Sequence, residues 1–261
     1  MKKVLHERVI FEKKDRVATI TLDRADRLNA FDTAMYVAVN EALELYRDDK
    51  DLWVAIIQAN GEKVFCAGAD VKELSENAKN GLNQALGGLL FDNGMVTNKP
   101  ILAAVQGFCV GEGVNLILGC DMVFADESST FKISEPKIGT NAIDIPIKLG
   151  KKIGYNKAFA FLMPGDEKGA LWCKEAGLVE VITSRGAVQT EALAFAQRIA
   201  NEAGPLAIRA QKETLWRSVF EDESIARAEG ITMRTAIRES KDYAEGRTAF
   251  LEKRSPQFVG E

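Results

Sequence analysis

Apolar positions along the chain follow two periods, and the change between them divides the sequence. Over the first two thirds they alternate or bunch into short blocks. "RVIFEKKDRVATITLDR" (Arg8–Arg24) predicts two strands joined by a polar Lys-Lys-Asp turn. "WVAIIQ" (Trp53–Gln58) and "ILAAV" (Ile101–Val105) are apolar runs that predict buried strands, and "MVFA" and "FKI" predict shorter ones. Between these blocks the period is helical. Asp32 is placed to cap a helix in which Met35, Val39, Ala42, Leu43 and Tyr46 share a face. "GEKVFCAGADVKEL" (Gly61–Leu74) predicts a loop that becomes a helix near Asp70, and Lys79–Asn98 a helix interrupted by glycines. Gly107–Gly113 predicts a glycine-punctuated turn, with a buried helix over Val114–Cys120. Strand, glycine loop, helix, short strand occurs near residues 53–75 and again near 101–125. That order implies a layered α/β core of ββα-like units. From Ala187 helical patterns dominate: through Asn201, from Pro205 to Phe220, and from Glu223 to the tail. Pro205 after Gly204 is an N1 proline. The expected division is an α/β core over 1–190 and a helical region over 191–261.

Composition narrows the chemistry. The 261 residues are 46% hydrophobic and carry a net charge of -4, so a general nucleic-acid surface is not expected. No apolar run approaches membrane-spanning length and the first residues lack a signal-peptide pattern, so a cytoplasmic location is the expectation. Cys66, Cys109, Cys120 and Cys173 lie far apart without metal-ligand spacing and are expected as buried thiols. The single histidine, His6, lies at the chain end, which disfavours a serine- or cysteine-type hydrolase. No phosphate-binding P-loop is present. Carboxylates and backbone N–H groups remain as the chemistry-bearing groups, with no metal and no bound cofactor expected.

Two stretches, "FCAGADV" (Phe65–Val71) and "GFCVGEGVN" (Gly107–Asn115), join an apolar strand to a small-residue loop and a helix start. Such loops let a ligand approach the backbone, and free N–H groups at a helix start favour negative charge. Two of them converging would form an oxyanion hole. Together with "KPILAAVQGFCVGEGVNLILGCDMVFADESSTFKISEPKIG" (Lys99–Gly139) and "DYAEGRTAFLEKRSPQF" (Asp242–Phe258), they resemble the crotonase superfamily, the enoyl-CoA hydratase/isomerase fold. The likeness covers nearly the whole chain. It implies a crotonase-like spiral of ββα units with a C-terminal helical trimerisation region, assembled as a homotrimer or dimer of trimers. It implies an acyl-CoA thioester substrate whose carbonyl is held by the N–H groups of Ala69 and Glu112. It places coenzyme A, as part of the substrate, against Arg24, Arg27, Leu28, Ala67, Asp70, Val71 and Lys72, with Phe250 and Lys253 of the tail also lining that site.

Hydratases of this family use two glutamates at fixed distances from an aspartate, here Asp121. Six positions before it stands Asn115, where a glutamate is usual. Ten positions after it is Phe131, and four further is Glu135, followed by Gly139. Glu135 is therefore the retained acid, and Asn115 replaces the other; the spacing argues against Lys137 occupying that position. The candidate catalytic residues are Glu135, Asn115 and Glu112. An amide orients a water or hydroxyl but does not take a proton at neutral pH. Glu112 is expected to matter more for its N–H than for its carboxyl. An ionised carboxylate about 4 Å from an enolate repels it by about 4 kcal/mol at an effective dielectric near 20. Its side chain should turn away, pair with a cation, stay protonated, or bond Asn115. "TNAIDIPIKLG" (Thr140–Gly150) departs from the family's glycine-rich loop and adds Asp144, expected as exposed. Trp172, Phe91 and Met95 are expected as core. One certain carboxylate fits an enoyl-CoA hydratase, an isomerase or a C–C lyase acting through an enolate. The alternative is a non-catalytic acyl-CoA-binding protein.

Overall fold

The computed structural model describes residues 1–81 and 86–261. In chain order the elements are β1 (Lys2–Leu5), β2 (Val9–Lys14), β3 (Val17–Leu22), α1 (Thr33–Asp48), β4 (Val54–Ala59), β5 (Val64–Cys66), α2 (Val71–Lys79), β6 (Ile101–Val105), β7 (Phe108–Val110), α3 (Glu112–Leu118), β8 (Met122–Asp126) and β9 (Thr130–Lys132). There follow α4 (Asp144–Ile153), α5 (Tyr155–Leu162), β10 (Lys168–Gly169), α6 (Ala170–Ala176), β11 (Val181–Thr183), α7 (Val188–Glu202), α8 (Pro205–Phe220), α9 (Glu223–Arg238) and α10 (Lys241–Glu252).

The strands of the described residues form two sheets. The larger runs β1-β2-β3-β4-β6-β8-β11 and the smaller β10-β9-β7-β5. β1, β2 and β3 pair antiparallel, and β3 onward pairs parallel. Each long central strand is followed by a short one in the second sheet: β4 by β5, β6 by β7, β8 by β9. This is the spiral of ββα units expected from the sequence.

The central strands are apolar on both faces because both faces are covered. Ala55, Ile57 and Ala59 of β4, with Ala103 and Val105 of β6, pack into the main core with Val39 and Leu43 of α1 and Leu116 and Ile117 of α3. Val54 and Ile56, with Leu102, Ala104 and Phe124, face α7. That helix buries Val188, Ala192, Ala196 and Ala200, a four-residue repeat whose small side chains let it lie close on the sheet. All four cysteines are free and buried. Pro205 opens α8. Among the described residues no helix is long and apolar enough to cross a membrane.

Several expectations change. β1 carries two lysines and buries only Leu5, so it has no apolar signature of its own; pairing with β2 makes it a strand. β7 is a strand inside what reads as a glycine turn, because Phe108–Val110 is bracketed by β5 and β9. Lys79–Asn98 is not a continuous helix. α2 ends at Lys79, residues 82–85 lie outside the described residues, and the rest holds a 3-10 turn over Leu90–Asn93. Asp144 opens α4 instead of sitting in a loop. The division at 190/191 falls inside α7, which belongs to the sheet packing; the helices that follow begin at Pro205.

Candidate active site

Three segments meet near one point. The β5–α2 loop brings Gly68 and Ala69, the β7–α3 turn brings Gly111 and Glu112, and a 3-10 turn over Glu135–Ile138 brings Glu135. A Cβ at Gly111 would lie 3.2 Å from Glu135 Oε1 and 3.7 Å from the Gly68 Cα; one at Gly68 would lie 3.9 Å from the Glu112 nitrogen. Both glycines have positive φ, +50° and +99°, which L side chains resist. Glycine here serves the close approach as well as the turn.

The backbone around the meeting point presents donors. Phe31 N–H donates to the Gly68 carbonyl (2.8 Å) and Asp70 N–H donates to the Phe31 carbonyl (2.9 Å), a bridge that steps over Ala69. Asp70 then caps α2 by accepting from Lys72 and Glu73 N–H. Asn115 N–H donates to the Gly111 carbonyl (3.0 Å), which starts α3 at Glu112. Among the described residues neither the Ala69 nor the Glu112 N–H has an acceptor. Glu135 Oε2 is buried and, among the described residues, has no hydrogen-bond partner. Two unused donors and one unused acceptor, clustered at a glycine-lined gap, suit a developing oxyanion beside a proton-transfer group.

Beside this gap lies a polar cluster of which the sequence offered only the Glu112–Asn115 bond. Asn115, 3% exposed, donates through Nδ2 to Glu112 Oε1 (3.1 Å) and Asp92 Oδ1 (3.0 Å), and its oxygen accepts from Lys148 Nζ (2.9 Å). Lys148 also pairs with Asp92 Oδ1 at 2.6 Å, both side chains largely buried. The Glu112 carboxyl thus turns toward Asn115 and, among the described residues, forms no ion pair. Burial pushes its pKa up to about 7, with the nearby Asp92 charge adding to the rise and the Asn115 hydrogen bond opposing it. Asp92 comes from the 3-10 turn over Leu90–Asn93 and Lys148 from α4, so only the fold joins them to Asn115. The departure from family pattern at Thr140–Gly150 was the one sequence signal near Lys148.

The remaining candidates divide. The Leu28 carbonyl accepts from Ala67 N–H (3.1 Å), which docks the Ala25–Phe31 loop onto the oxyanion loop. Leu28, Val71, Arg27 and Lys72 are exposed. Arg24 is not: its guanidinium donates to Asp70 (2.8 Å) and the Ala30 carbonyl and lies 3.1 Å from Asp32. Its charge is spent tying the capping residues of α1 and α2 together. Phe250, 83% exposed, closes α10 and lines a cavity of about 480 Å³ built by residues 204–258, while Lys253 caps the helix. Asp121 accepts from Ile101 N–H (2.7 Å) and Lys212 (2.8 Å), a structural role. A second cavity, about 540 Å³, is lined by Phe91, Met95, Leu118, Asp144, Lys148 and Trp216, so Asp144 and Met95 are cavity residues rather than free surface or core. Phe91 is both buried and on that wall, and Trp172 packs on Phe161 at 5.6 Å.

Comparison with known proteins identifies the family. The sequence profile of the enoyl-CoA hydratase/isomerase family matches residues 12–261. A probable mitochondrial enoyl-CoA hydratase of Dictyostelium discoideum is 34% identical, over 95% of this chain and 89% of its own. A carnitinyl-CoA dehydratase of Proteus mirabilis is 32% identical, over 94% and 95%. The crystal structure of an enoyl-CoA hydratase from Mycobacterium tuberculosis superposes with a TM-score of 0.87 at 31% identity, over 98% of this chain and 100% of the other. With a profile match over nearly its full length and relatives above 30% identity that share the fold, the chain belongs to the enoyl-CoA hydratase/isomerase family.

Proposed function

We propose that this acyl-CoA enzyme adds water to, or removes it from, a 2-enoyl-CoA/3-hydroxyacyl-CoA pair, with Glu135 as a proton-transfer group. The carrying observation is the buried, unpartnered Glu135 Oε2 beside the unpaired Ala69 and Glu112 N–H groups. In this reading the two N–H groups hold the thioester oxygen as it gains enolate charge, and Glu135 alone takes a proton from the attacking water and delivers one to the α carbon. The relatives named above are hydratases and a dehydratase, which favours water chemistry over double-bond isomerisation or C–C cleavage.

Exposed Arg27 and Lys72 flank the loop that carries Ala69 and are the cations offered to the CoA phosphates; Arg24 holds that loop in shape. Phe250 and Leu251, 83% and 78% exposed, support assembly through the C-terminal helices as a trimer or a pair of trimers. In such an assembly Phe250 and Lys253 line the CoA site of a neighbouring protomer.

The test is hydration of crotonyl-CoA, followed by a panel of longer enoyl-, dienoyl- and aryl-CoA thioesters. Glu135→Gln is expected to lower turnover at least about 100-fold, the low end of general acid–base contributions. Near-wild-type turnover by that variant would remove Glu135 from the mechanism. Inactivity of the wild type over the whole panel would favour acyl-CoA binding without chemistry.

A further inference from the structure

The cavity of about 540 Å³ is lined by none of Gly68, Gly111, Glu112 or Glu135. It meets α3 at Leu118, Gly119 and Cys120, the end opposite Glu112. At 1.5 Å per residue, Leu118 stands about 9 Å further along the helix axis than Glu112. The Lys148–Asp92 pair is part of the cavity wall and holds Asn115 from that side. The volume is that of a small-molecule site, and such sites are mostly apolar with a few placed polar groups.

The walls fit that description. Met95 and Leu118 lie on one side and Trp216 and Phe220 of α8 on the other, the two rings stacked at 4.9 Å. Ile147 of α4 and Leu215 of α8 line the cavity yet are 55% and 66% exposed, which gives it an apolar opening. The charges are sorted along α4. Asp144 opens that helix and Lys151 and Lys152 close it, an order the helix dipole favours. Seven residues separate Asp144 from Lys151, about 10 Å. The other two lining carboxylates already have cations: Asp92 has Lys148 at 2.6 Å and Asp121 has Lys212 at 2.8 Å. Lys151 and Lys152 form no ion pair among the described residues. The Lys151 ammonium lies 4.4 Å from the Phe220 ring, and Lys152 donates to the Cys120 carbonyl. The end of the cavity beside Cys120 and Phe220 therefore holds two cations in excess, set against apolar walls.

We infer that this cavity is a second binding site, for a free carboxylate carried on an apolar chain, distinct from the gap that holds the thioester. Lys151 and Lys152 take the carboxylate, and their own methylene stems continue the apolar wall. The chain lies along Met95, Leu118 and Trp216. A single negative charge suits the site better than a phosphate dianion, because the Asp121 carboxylate shares the same end and repels further charge. The inference goes beyond the hydratase reading and does not depend on it.

Isothermal titration calorimetry with decanoate, decanol and acetate tests it, on the wild type and on the double variant Lys151→Gln/Lys152→Gln. One decanoate should bind per chain. Decanol on the wild type, and decanoate on the double variant, should each bind at least about 10-fold more weakly, the loss expected when a charge-assisted contact is removed. Acetate, without the chain, should show no binding. Saturating butyryl-CoA should leave the decanoate affinity unchanged. Absence of decanoate binding, several decanoates per chain, or an unaltered affinity in the double variant overturns the inference. So does equal binding of decanol, which decides the matter if the double variant does not fold. Displacement of decanoate by butyryl-CoA would put the acid in the thioester site and overturn it as well. Failure of the wild type to hydrate any enoyl-CoA overturns the hydratase reading alone and leaves this site standing.

Discussion

Gly111→Ala probes the meeting of the β7–α3 turn with Glu135. The new methyl would lie 3.2 Å from Glu135 Oε1 and 3.7 Å from the Gly68 Cα. The first distance is inside ordinary contact, so the carboxylate must give by a few tenths of an ångström or the turn must move. The φ of +50° adds roughly 1–2 kcal/mol of backbone strain for an alanine. Since a displacement near 1 Å at a reacting centre costs about 100-fold, a smaller one should lower kcat by about 10- to 100-fold. KM should change less, because Ala67, Val71 and Lys72 lie on another loop. Steady-state hydration of crotonyl-CoA gives the first quantity, and urea unfolding, losing about 1–3 kcal/mol, gives the second. A folded Gly111→Ala enzyme with wild-type kcat would show that the turn does not face Glu135, and the site would have to be redrawn.

Other outcomes follow from the same geometry. The Glu112 pKa, about 7 in the fold against an ordinary 4.5, means the folded state holds a proton that the unfolded chain has lost. Wild-type stability therefore falls as pH rises between those values, and Glu112→Gln should gain on it by up to about 3 kcal/mol from pH 5 to pH 8 in urea unfolding. A pH-independent difference would refute that shift. Lys148→Met strands Asp92, and should cost about 3 kcal/mol or more; with Asp92→Asn added, the loss should be smaller than the sum of the two single changes. Strict additivity in the double-mutant cycle would mean the pair is not coupled. Arg27→Ala and Lys72→Ala should each raise KM for acyl-CoA several-fold, about 1 kcal/mol, with kcat unchanged. If neither moves KM, the phosphates are held elsewhere.

What could be read from the residues depended on how local the cause was. Asp32 and Asp70 cap helices by bonds that span two or three residues, so both helix starts were visible, though only Asp32 was read as a cap. The strands β4 and β6 were visible because burial on both faces leaves a continuous apolar run. Glu135 was located by its distance from Asp121, and that depended on family resemblance rather than on any local signal. β1 and β7 escaped because their pairing partners, not their own composition, make them strands. Arg24 was expected against coenzyme A, and Asp32 and Asp70, 8 and 46 residues away, close on it instead. Asp92 and Lys148 escaped for the same reason, lying 23 and 33 residues from the Asn115 they orient. Sequence reading rightly gave the Glu112 side chain a choice between turning away, pairing and keeping its proton. The fold bonds its carboxyl to Asn115 and buries it, and burial raises its pKa to about 7.

The central claim is that Glu135 moves a proton at an acyl-CoA whose enolate is stabilised by the Ala69 and Glu112 N–H groups. Deuterium uptake from D2O into the α position of bound butyryl-CoA, followed by mass spectrometry, isolates that step from water addition. The wild type should incorporate deuterium, and Glu135→Gln should do so at least about 100-fold more slowly. Equal exchange by the two proteins would contradict the role given to Glu135. No exchange by the wild type, with butyryl-CoA shown to be bound, would contradict enolate chemistry at this site.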